Sequence, residues 1–297
     1  MTKLEIRNIQ RKYSGIDVLK NISCTLEEGH IYGLLGRNGV GKSTLLNIIN
    51  NRVLPNKGEV KLDGEVIFEK DDLLAELFLI NDTLLFNNSD HLKVNKYFKL
   101  AKSFYPDFDE ALCDHLVEVF ELDVKQRIDK LSTGYRSILN VILGLCVPAK
   151  FIFFDEPTLG LDANHRELFY KELLDNFSKK TRTFVISTHL IEEVSHMIDT
   201  VLILNEGVIS VNETAETILE KSWALTGAIR DIQEISKGLS IVGREAIGNQ
   251  QTIYVYGNVG DIPPSIQVKS VDLQKIFIEL TSMKERDWRE IKQSIKV

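Results

Sequence analysis

Eight consecutive residues, Gly36-Arg37-Asn38-Gly39-Val40-Gly41-Lys42-Ser43, satisfy the pattern GxxxxGK[ST] at every fixed position. Glycines at these places let successive backbone N–H groups turn inward toward phosphate oxygens. A helix start directly after the loop adds unsatisfied donors and a dipole that attracts anions. Lys42 is suited to lie along β- and γ-phosphates, and Ser43 to coordinate Mg2+. The competing explanation is an accidental glycine-rich turn. The flanks argue against it: 30–35 is a short apolar run bounded by glycines, and 43–51 carries Leu45, Leu46, Ile48 and Ile49 at helical spacing.

A second pattern, Phe151-Ile152-Phe153-Phe154-Asp155-Glu156, is an apolar strand ending in two carboxylates. Open α/β sheets place ligands at the carboxyl ends of their strands. Asp155 is suited to hold Mg2+, directly or through water, and Glu156 to orient and polarise an attacking water. Taken alone, such a run is commonly just a strand end; downstream of a phosphate loop it gains meaning. Between the two patterns lies Leu131-Ser132-Thr133-Gly134-Tyr135, which by itself reads as a helix start with Ser132 as cap.

The elements that position these residues follow from periodicity. Alternation over 4–9 and 18–26 predicts two strands around a turn-like 13–17. Residues 58–68 read as a hairpin about Asp63-Gly64. Residues 78–80 form a strand ending in Asn81-Asp82, and 90–147 read as helical throughout, with breaks near Pro106 and near 132–134. Then come strand 151–154, helix 163–179, strand 183–187, helix 190–197 and a hairpin of 201–204 with 207–209. Strands alternating with helices imply a largely parallel sheet covered on both faces, and the N-terminal hairpins a smaller antiparallel sheet beside it. After about residue 220 the pattern changes to strands 223–230, 239–244 and 252–256, a loop at Asp261-Ile262-Pro263-Pro264, and a helix over 272–283 with Leu273, Ile276, Phe277 and Leu280 on one face.

Composition limits the remaining choices. The 297 residues suggest two domains, or one with an appendage. A hydrophobic fraction of 43% and a charged fraction of 27% suit a soluble globular chain. The net charge of −7 argues against a broad nucleic-acid footprint. The longest apolar stretch, 138–147, is interrupted by Asn140 and falls well short of the roughly 20 residues that span a bilayer. The N-terminus carries charges where a signal peptide needs an apolar core. Cys24, Cys113 and Cys146 form no CxxC pair and read as buried thiols in a reducing cytoplasm.

Phosphate loop, then LSxG, then the apolar-Asp-Glu strand is the motif order of ATP-binding-cassette (ABC) ATPases, and this sequence resembles that family from about residue 2 to residue 212. Tyr13, 23 residues before Gly36, stands where the family has an aromatic that stacks on adenine. Leu131 to Tyr135 resembles the signature, normally LSGGQ. Gly160-Leu161-Asp162 resembles the loop whose Asp lies across the dimer interface, and His189 the switch histidine that contacts the γ-phosphate.

The resemblance implies an α/β phosphate-loop NTPase fold: a RecA-like parallel-sheet core, an antiparallel β-subdomain and a helical subdomain at about 87–150. Residues 1–212 would form the nucleotide-binding domain, and 213–297 a small C-terminal α+β accessory domain. ATP and Mg2+ are the implied ligands. Gly36, Asn38, Gly39, Val40, Gly41, Lys42, Ser43 and Thr44 would hold the nucleotide with Tyr13. Ser43, Asn81 and Asp155 would serve the metal, and Glu156 and His189 the chemistry. Two domains would face each other head to tail, so Ser132, Gly134 and Asp162 would act on nucleotide bound to the partner. Two departures stand out. Thr133 and Tyr135 replace Gly and Gln of the signature. The Gln expected before the helical subdomain falls on Asn81, with Asp82 as the rival alignment.

A single cassette without inserted coiled coils resembles a stand-alone transporter subunit. The LSTGY variant, Phe104-Tyr105-Pro106 and the segment 270–281 are similar to Gram-positive drug, lantibiotic and cytolytic-peptide exporters, including phenol-soluble-modulin exporter ATPases. The expectation is therefore an ATPase that powers export through separately encoded membrane subunits. It would work as a homodimer or heterodimer on the inner face of the cell membrane, without nucleic acid. The alternatives are a soluble ABC ATPase of assembly, repair or regulation, and a cassette that binds ATP without hydrolysing it. Residues 284–297 are locally basic, with Trp288, Ile291 and Ile295 on one helical face. Such a face more often packs on its own domain than on a membrane or partner.

Overall fold

The computed structural model describes residues 1–86 and 91–282. The first residues of the expected helical subdomain, 87–90, and the amphipathic face of 284–297 lie outside them.

The chain opens with β1 (Lys3–Tyr13) and β2 (Ile16–Glu27), then β3 (Ile31–Leu35) and α1 (Lys42–Ile49). Strands β4 (Lys57–Leu62) and β5 (Glu65–Val66), helix α2 (Asp71–Leu74) and strand β6 (Leu77–Ile80) follow. Helices α3 (Val94–Phe104), α4 (Glu110–Val119) and α5 (Thr133–Cys146) form the helical part. Next come β7 (Phe151–Asp155), α6 (Ala163–Lys179), β8 (Thr183–Thr188), α7 (Ile191–Val194), β9 (Thr200–Asn205) and β10 (Val208–Thr214). The C-terminal part holds α8 (Ala215–Glu220), β11 (Ser222–Ala228), α9 (Ile229–Ile235), β12 (Ile241–Ile247), β13 (Gln250–Tyr256), β14 (Gln267–Ser270) and α10 (Leu273–Ser282).

These strands make three sheets. The central one has six strands in the order β10-β9-β3-β8-β7-β6, parallel except for β10. Its strands are apolar on both sides, so successive residues feed two cores. Phe151 and Phe153 point to one, with α1 and the antiparallel sheet β2-β1-β4-β5. Ile152 and Phe154 point to the other, with α5 and α6. The expected parallel core, antiparallel subdomain and helical segment are all present. Cys24, Cys113 and Cys146 are buried free thiols.

Several local expectations need correction. Tyr13 is the last residue of β1 rather than part of a longer turn, because it pairs with Ile16 across a two-residue Ser14-Gly15 turn. The second break in the stretch 90–147 is longer than expected: α4 ends at Val119 and α5 begins at Thr133, and between them the chain makes a 3₁₀ turn at Ile128–Lys130, with Lys93 bridging Arg127. Helix α7 covers only Ile191–Val194 of the expected 190–197. The strand expected over 223–230 ends at Ala228, and α9 begins at Ile229. Ile229, Ile232 and Ile235 carry a helical spacing that a β-branched-rich run conceals, and Ile232 is buried with Leu225, Ile253 and Val255. Strand β14 and helix α8 have no counterpart in the periodicity reading. β14 is exposed along its length, so no alternation marks it.

The third sheet, β12-β13-β11-β14, is antiparallel and covered on both faces. Ile253 and Val255 of β13 face α9, whereas Tyr254 and Tyr256 join the larger cluster that contains α10. Helix α10 buries Leu273, Ile276, Phe277 and Leu280 in that cluster, against α7, α8 and β9. Lys275 pairs with Glu245 and Glu279, and its ammonium lies 4.6 Å over the Tyr254 ring. The Tyr256 hydroxyl donates to Glu213 at 3.0 Å. The C-terminal helix is thus shared between the accessory sheet and the central core.

Candidate functional site

Sheet order decides which loops meet. β3, β8, β7 and β6 lie side by side and parallel, with Leu35 opposite Thr188, Ser187 opposite Asp155, and Phe154 opposite Ile80. Their carboxyl ends therefore form one row: the loop 36–41, then Thr188-His189, then Asp155-Glu156, then Asn81. This is the edge at which open parallel sheets bind ligands.

The loop 36–41 leads straight into α1, whose N-cap is Gly41 at φ +111°, a left-handed conformation that disfavours a side chain. No side chain caps this helix start, and its first turn has no acidic residue. The donors of the first turn are thus left for an external acceptor. Gly36, Asn38, Gly39 and Val40 lie in the loop, with Ser43 and Thr44 in the first turn of α1. Lys42 is 6% exposed. Its ammonium donates to Gly36 O at 2.8 Å and Arg37 O at 3.4 Å, and lies 3.4 Å from Glu156 Oε1.

Glu156 sits at φ +51°, which costs a non-glycine residue about 1–2 kcal/mol. The following Pro157 further disfavours the right-handed helical alternative. Three contacts hold it there: its N–H donates to Ser187 O at 2.9 Å, Lys42 approaches one carboxylate oxygen, and His189 Nδ1 lies 3.1 and 3.0 Å from the two. Asp155 accepts from Ser187 Oγ at 2.9 Å. Lys42 and His189 thus both pair with the Glu156 carboxylate, and Asp155 joins them through Ser187, which donates to Asp155 and accepts from the Glu156 N–H.

A cleft of about 650 Å³ adjoins it, lined by Ser43, Asn81, Asp82, Asp155 and Glu156 at one end and by Leu131, Thr133 and Arg136 at the other. Both Asn81 and Asp82 face this cleft. Asn81 Oδ1 accepts from Thr83 N–H and Oγ1, and its backbone carbonyl accepts from Asn140 Nδ2 at 2.8 Å. Asn140 is 4% exposed within α5. In sequence it looked like a mere interruption of an apolar run. In the fold it ties the Asn81 loop to the helix that begins at Ser132. Ser187 was missed in the same way: a small hydroxyl at the end of an apolar strand is the only trace it leaves in sequence.

Ser132 caps α5, accepting from Tyr135 N–H at 3.2 Å. Asp162 caps α6, accepting from His165 N–H at 2.9 Å. That bond and the His165 side chain hold the Asp162 carboxyl below its ordinary range. The two helix starts touch. A Cβ on Gly134 would stand 2.6 Å from Gly160 O, and Ser137 Oγ donates to Leu159 O at 2.9 Å. We expect Gly134→Ala to lower stability by about 1 kcal/mol net, as overpacking against a backbone carbonyl outweighs the gain in helix propensity. A thermal midpoint equal to that of the parent would show that the 158–162 turn yields freely.

Tyr13 is 41% exposed at the β1–β2 tip, with the Arg11 guanidinium 4.5 Å over its ring. Gly41 approaches Val18 and Leu19, so β2 borders the phosphate loop.

A family model described as ABC transporter matches residues 19–159, which include the phosphate loop, the LSTGY turn and the Asp155-Glu156 strand end. The chain contains an ABC transporter ATP-binding domain. It is 27% identical over 225 residues to the ABC transporter ATP-binding protein YtrB of Bacillus subtilis, covering 74% of this chain and 76% of that protein. It is 28% identical to the lantibiotic transport ATP-binding protein SrtF of Streptococcus pyogenes, covering 74% and 91%. Against the arabinose import ATP-binding protein AraG of Rhizobium johnstonii it is 26% identical, covering 74% of this chain but 46% of that one. A solved ATP-binding subunit of an ABC transporter shares the fold, with a TM-score of 0.64 at 21% identity over 73% of this chain and 92% of that one.

The ABC domain is an ATPase that binds ATP with Mg2+, and the chain is the ATP-binding subunit of a transporter. The residues fit those ligands. The uncapped start of α1 and the buried Lys42 ammonium suit a polyphosphate. Ser43, Asn81 and Asp155 offer only oxygen donors, as a hard cation requires. Among the described residues no group of three or more His, Cys, Asp or Glu could hold a metal ion by itself. Among the described residues, no helix is long and apolar enough to cross a membrane.

Proposed function

We propose that this chain powers an exporter, working head to tail with a second copy of itself or with another ABC ATPase. One observation carries the reading. Lys42, Glu156 and His189 gather at the ends of β3, β7 and β8, while the exposed Ser132 and Asp162 cap two touching helix starts. The chain thus carries two half-sites of complementary chemistry.

In this reading the 36–41 backbone, Lys42 and Thr44 hold the phosphates of ATP, and Tyr13 stacks on the base. Ser43, Asp155 and Asn81 hold Mg2+, which neutralises charge developing on the phosphates. Glu156 orients and deprotonates the attacking water, and His189, bonded to Glu156, reaches the γ-phosphate. Ser132, Gly134 and Asp162 meet the nucleotide held by the partner.

Export is supported by the similarity to SrtF, which is named a lantibiotic transport ATP-binding protein and is matched over 91% of its length. The substrate class proposed is a peptide, toxin or drug. The place of action is the cytoplasmic face of the cell membrane, with no nucleic acid involved. The ATPase unit spans 1–212 and the accessory unit 213–297, with β10 and α10 as the seam.

Co-purification tests the transporter assignment. The chain is expected to come down with detergent-solubilised membrane subunits encoded beside it, and ATP turnover to rise in that complex. A chain that never associates with them would instead be an ABC ATPase of assembly, repair or regulation.

A further inference from the structure

The two helix starts that carry Ser132 and Asp162 are joined by more than backbone contact. His165, in the first turn of α6, sits between them. Its Nδ1 lies 3.0 Å from Asp162 Oδ2, and because a carboxylate only accepts, the ring hydrogen stands on Nδ1. Its ring meets that of Tyr135 edge-on, with centroids 5.8 Å apart at 66°, and stacks on Phe120 at 6.3 Å and 17°. Phe120 is fully buried at the end of α4, so the ring has a rigid backing. Tyr135 occupies the signature position that departs from the usual Gln. His165 is its counterpart on the other helix.

We propose that His165 is a positioning residue that locks the Asp162 turn to the first turn of α5 through Tyr135, so that Ser132 and Asp162 are presented as one rigid unit. The proposal rests on the head-to-tail reading above, in which both residues act on the partner's nucleotide. The physical need is relative placement. Ser132 and Asp162 are both exposed and belong to different helices, and small misplacements of groups around a reacting centre are costly. The carboxylate bond fixes Asp162 to His165. The aromatic contact fixes His165 to the signature helix. Neither suffices alone.

Two substitutions separate the halves. His165→Phe keeps the ring and loses the donor; His165→Asn keeps a donor near the Nδ1 position and loses the ring. Each is expected to lower kcat about 10-fold with KM for ATP within about twofold, because the chain's own nucleotide contacts are untouched. Tyr135→Leu is expected to act similarly. Combined with His165→Asn it should add little, because both break one link. In a Glu156→Gln background, each His165 variant is expected to weaken the ATP-dependent dimer about 10-fold by light scattering. A general structural defect would instead appear as lost nucleotide binding by the single chain. Wild-type kcat in both His165 variants overturns the proposal, as do effects of Tyr135→Leu and His165→Asn that multiply. If Glu156→Gln forms an ATP-dependent dimer that the His165 variants form equally well, only the His165 role falls. If Glu156→Gln forms no such dimer, the head-to-tail reading falls and takes this role with it.

Discussion

Glu156→Gln is expected to slow ATP hydrolysis by about 10²–10⁴-fold, the usual contribution of a positioned general base, while ATP binding is retained. The change is nearly isosteric, so the backbone at φ +51° and the Ser187 hydrogen bond should persist. What disappears is the ability to take a proton and the charge that pairs with Lys42 at 3.4 Å and with His189 at 3.0 Å. Removing a carboxylate from beside a polyphosphate also removes repulsion. The nucleotide affinity of the variant should therefore equal or exceed that of the parent. Phosphate release under saturating ATP and a nucleotide titration read the two effects separately. Hydrolysis at the parental rate, with the parent turning over well above background, would show that Glu156 does not activate the water, whereas a parent with no turnover above background would mark a cassette that binds ATP without hydrolysing it.

Lys42→Ala is expected to weaken ATP binding about 10–100-fold, the equivalent of about 1.5–3 kcal/mol for a lost charge-assisted hydrogen bond. The ammonium is almost entirely shielded from water, and the three groups near it are two backbone carbonyls and a carboxylate. Truncation leaves Gly36 O without its donor and Glu156 without its cation, so the loop loses both a phosphate ligand and an internal brace. Far-ultraviolet circular dichroism should remain parental, because α1 still buries Leu45, Leu46, Ile48 and Ile49. Parental ATP affinity in Lys42→Ala would count against the assignment of loop 36–41 to phosphate.

Much of this was legible in the chain before folding. The phosphate loop is contiguous, and its chemistry depends on local backbone freedom and a helix start, both written in adjacent residues. The apolar strand ending in Asp155-Glu156 is equally local. The helix expected over about 163–179 is observed at Ala163–Lys179, where Asp162 caps it and Phe169, Tyr170 and Leu173 are buried. Boundaries were poor where apolar content does not track one face. β14 is exposed throughout, and α9 hides its period in isoleucines that also suit a strand. Both owe their form to neighbours in the third sheet rather than to intrinsic preference.

The sequence by itself determined which residue types stand in the motifs behind the proposed chemistry: the glycines and Lys42 of loop 36–41, the oxygen-bearing Ser43, Asn81 and Asp155, and the Glu156 carboxylate. Those features are short-range, and residue type with spacing specifies them. Only the tertiary structure decided how they meet. The order β9-β3-β8-β7-β6 interleaves strands distant in the chain, so His189, Glu156 and Lys42 converge although loops and helices separate them. The same long-range packing brought Asn140 to the Asn81 carbonyl, set His165 between Tyr135 and Asp162, and drew α10 into the central core. Non-local pairings of this kind depend on which faces are buried together, and a single sequence does not display that before the sheet order is known.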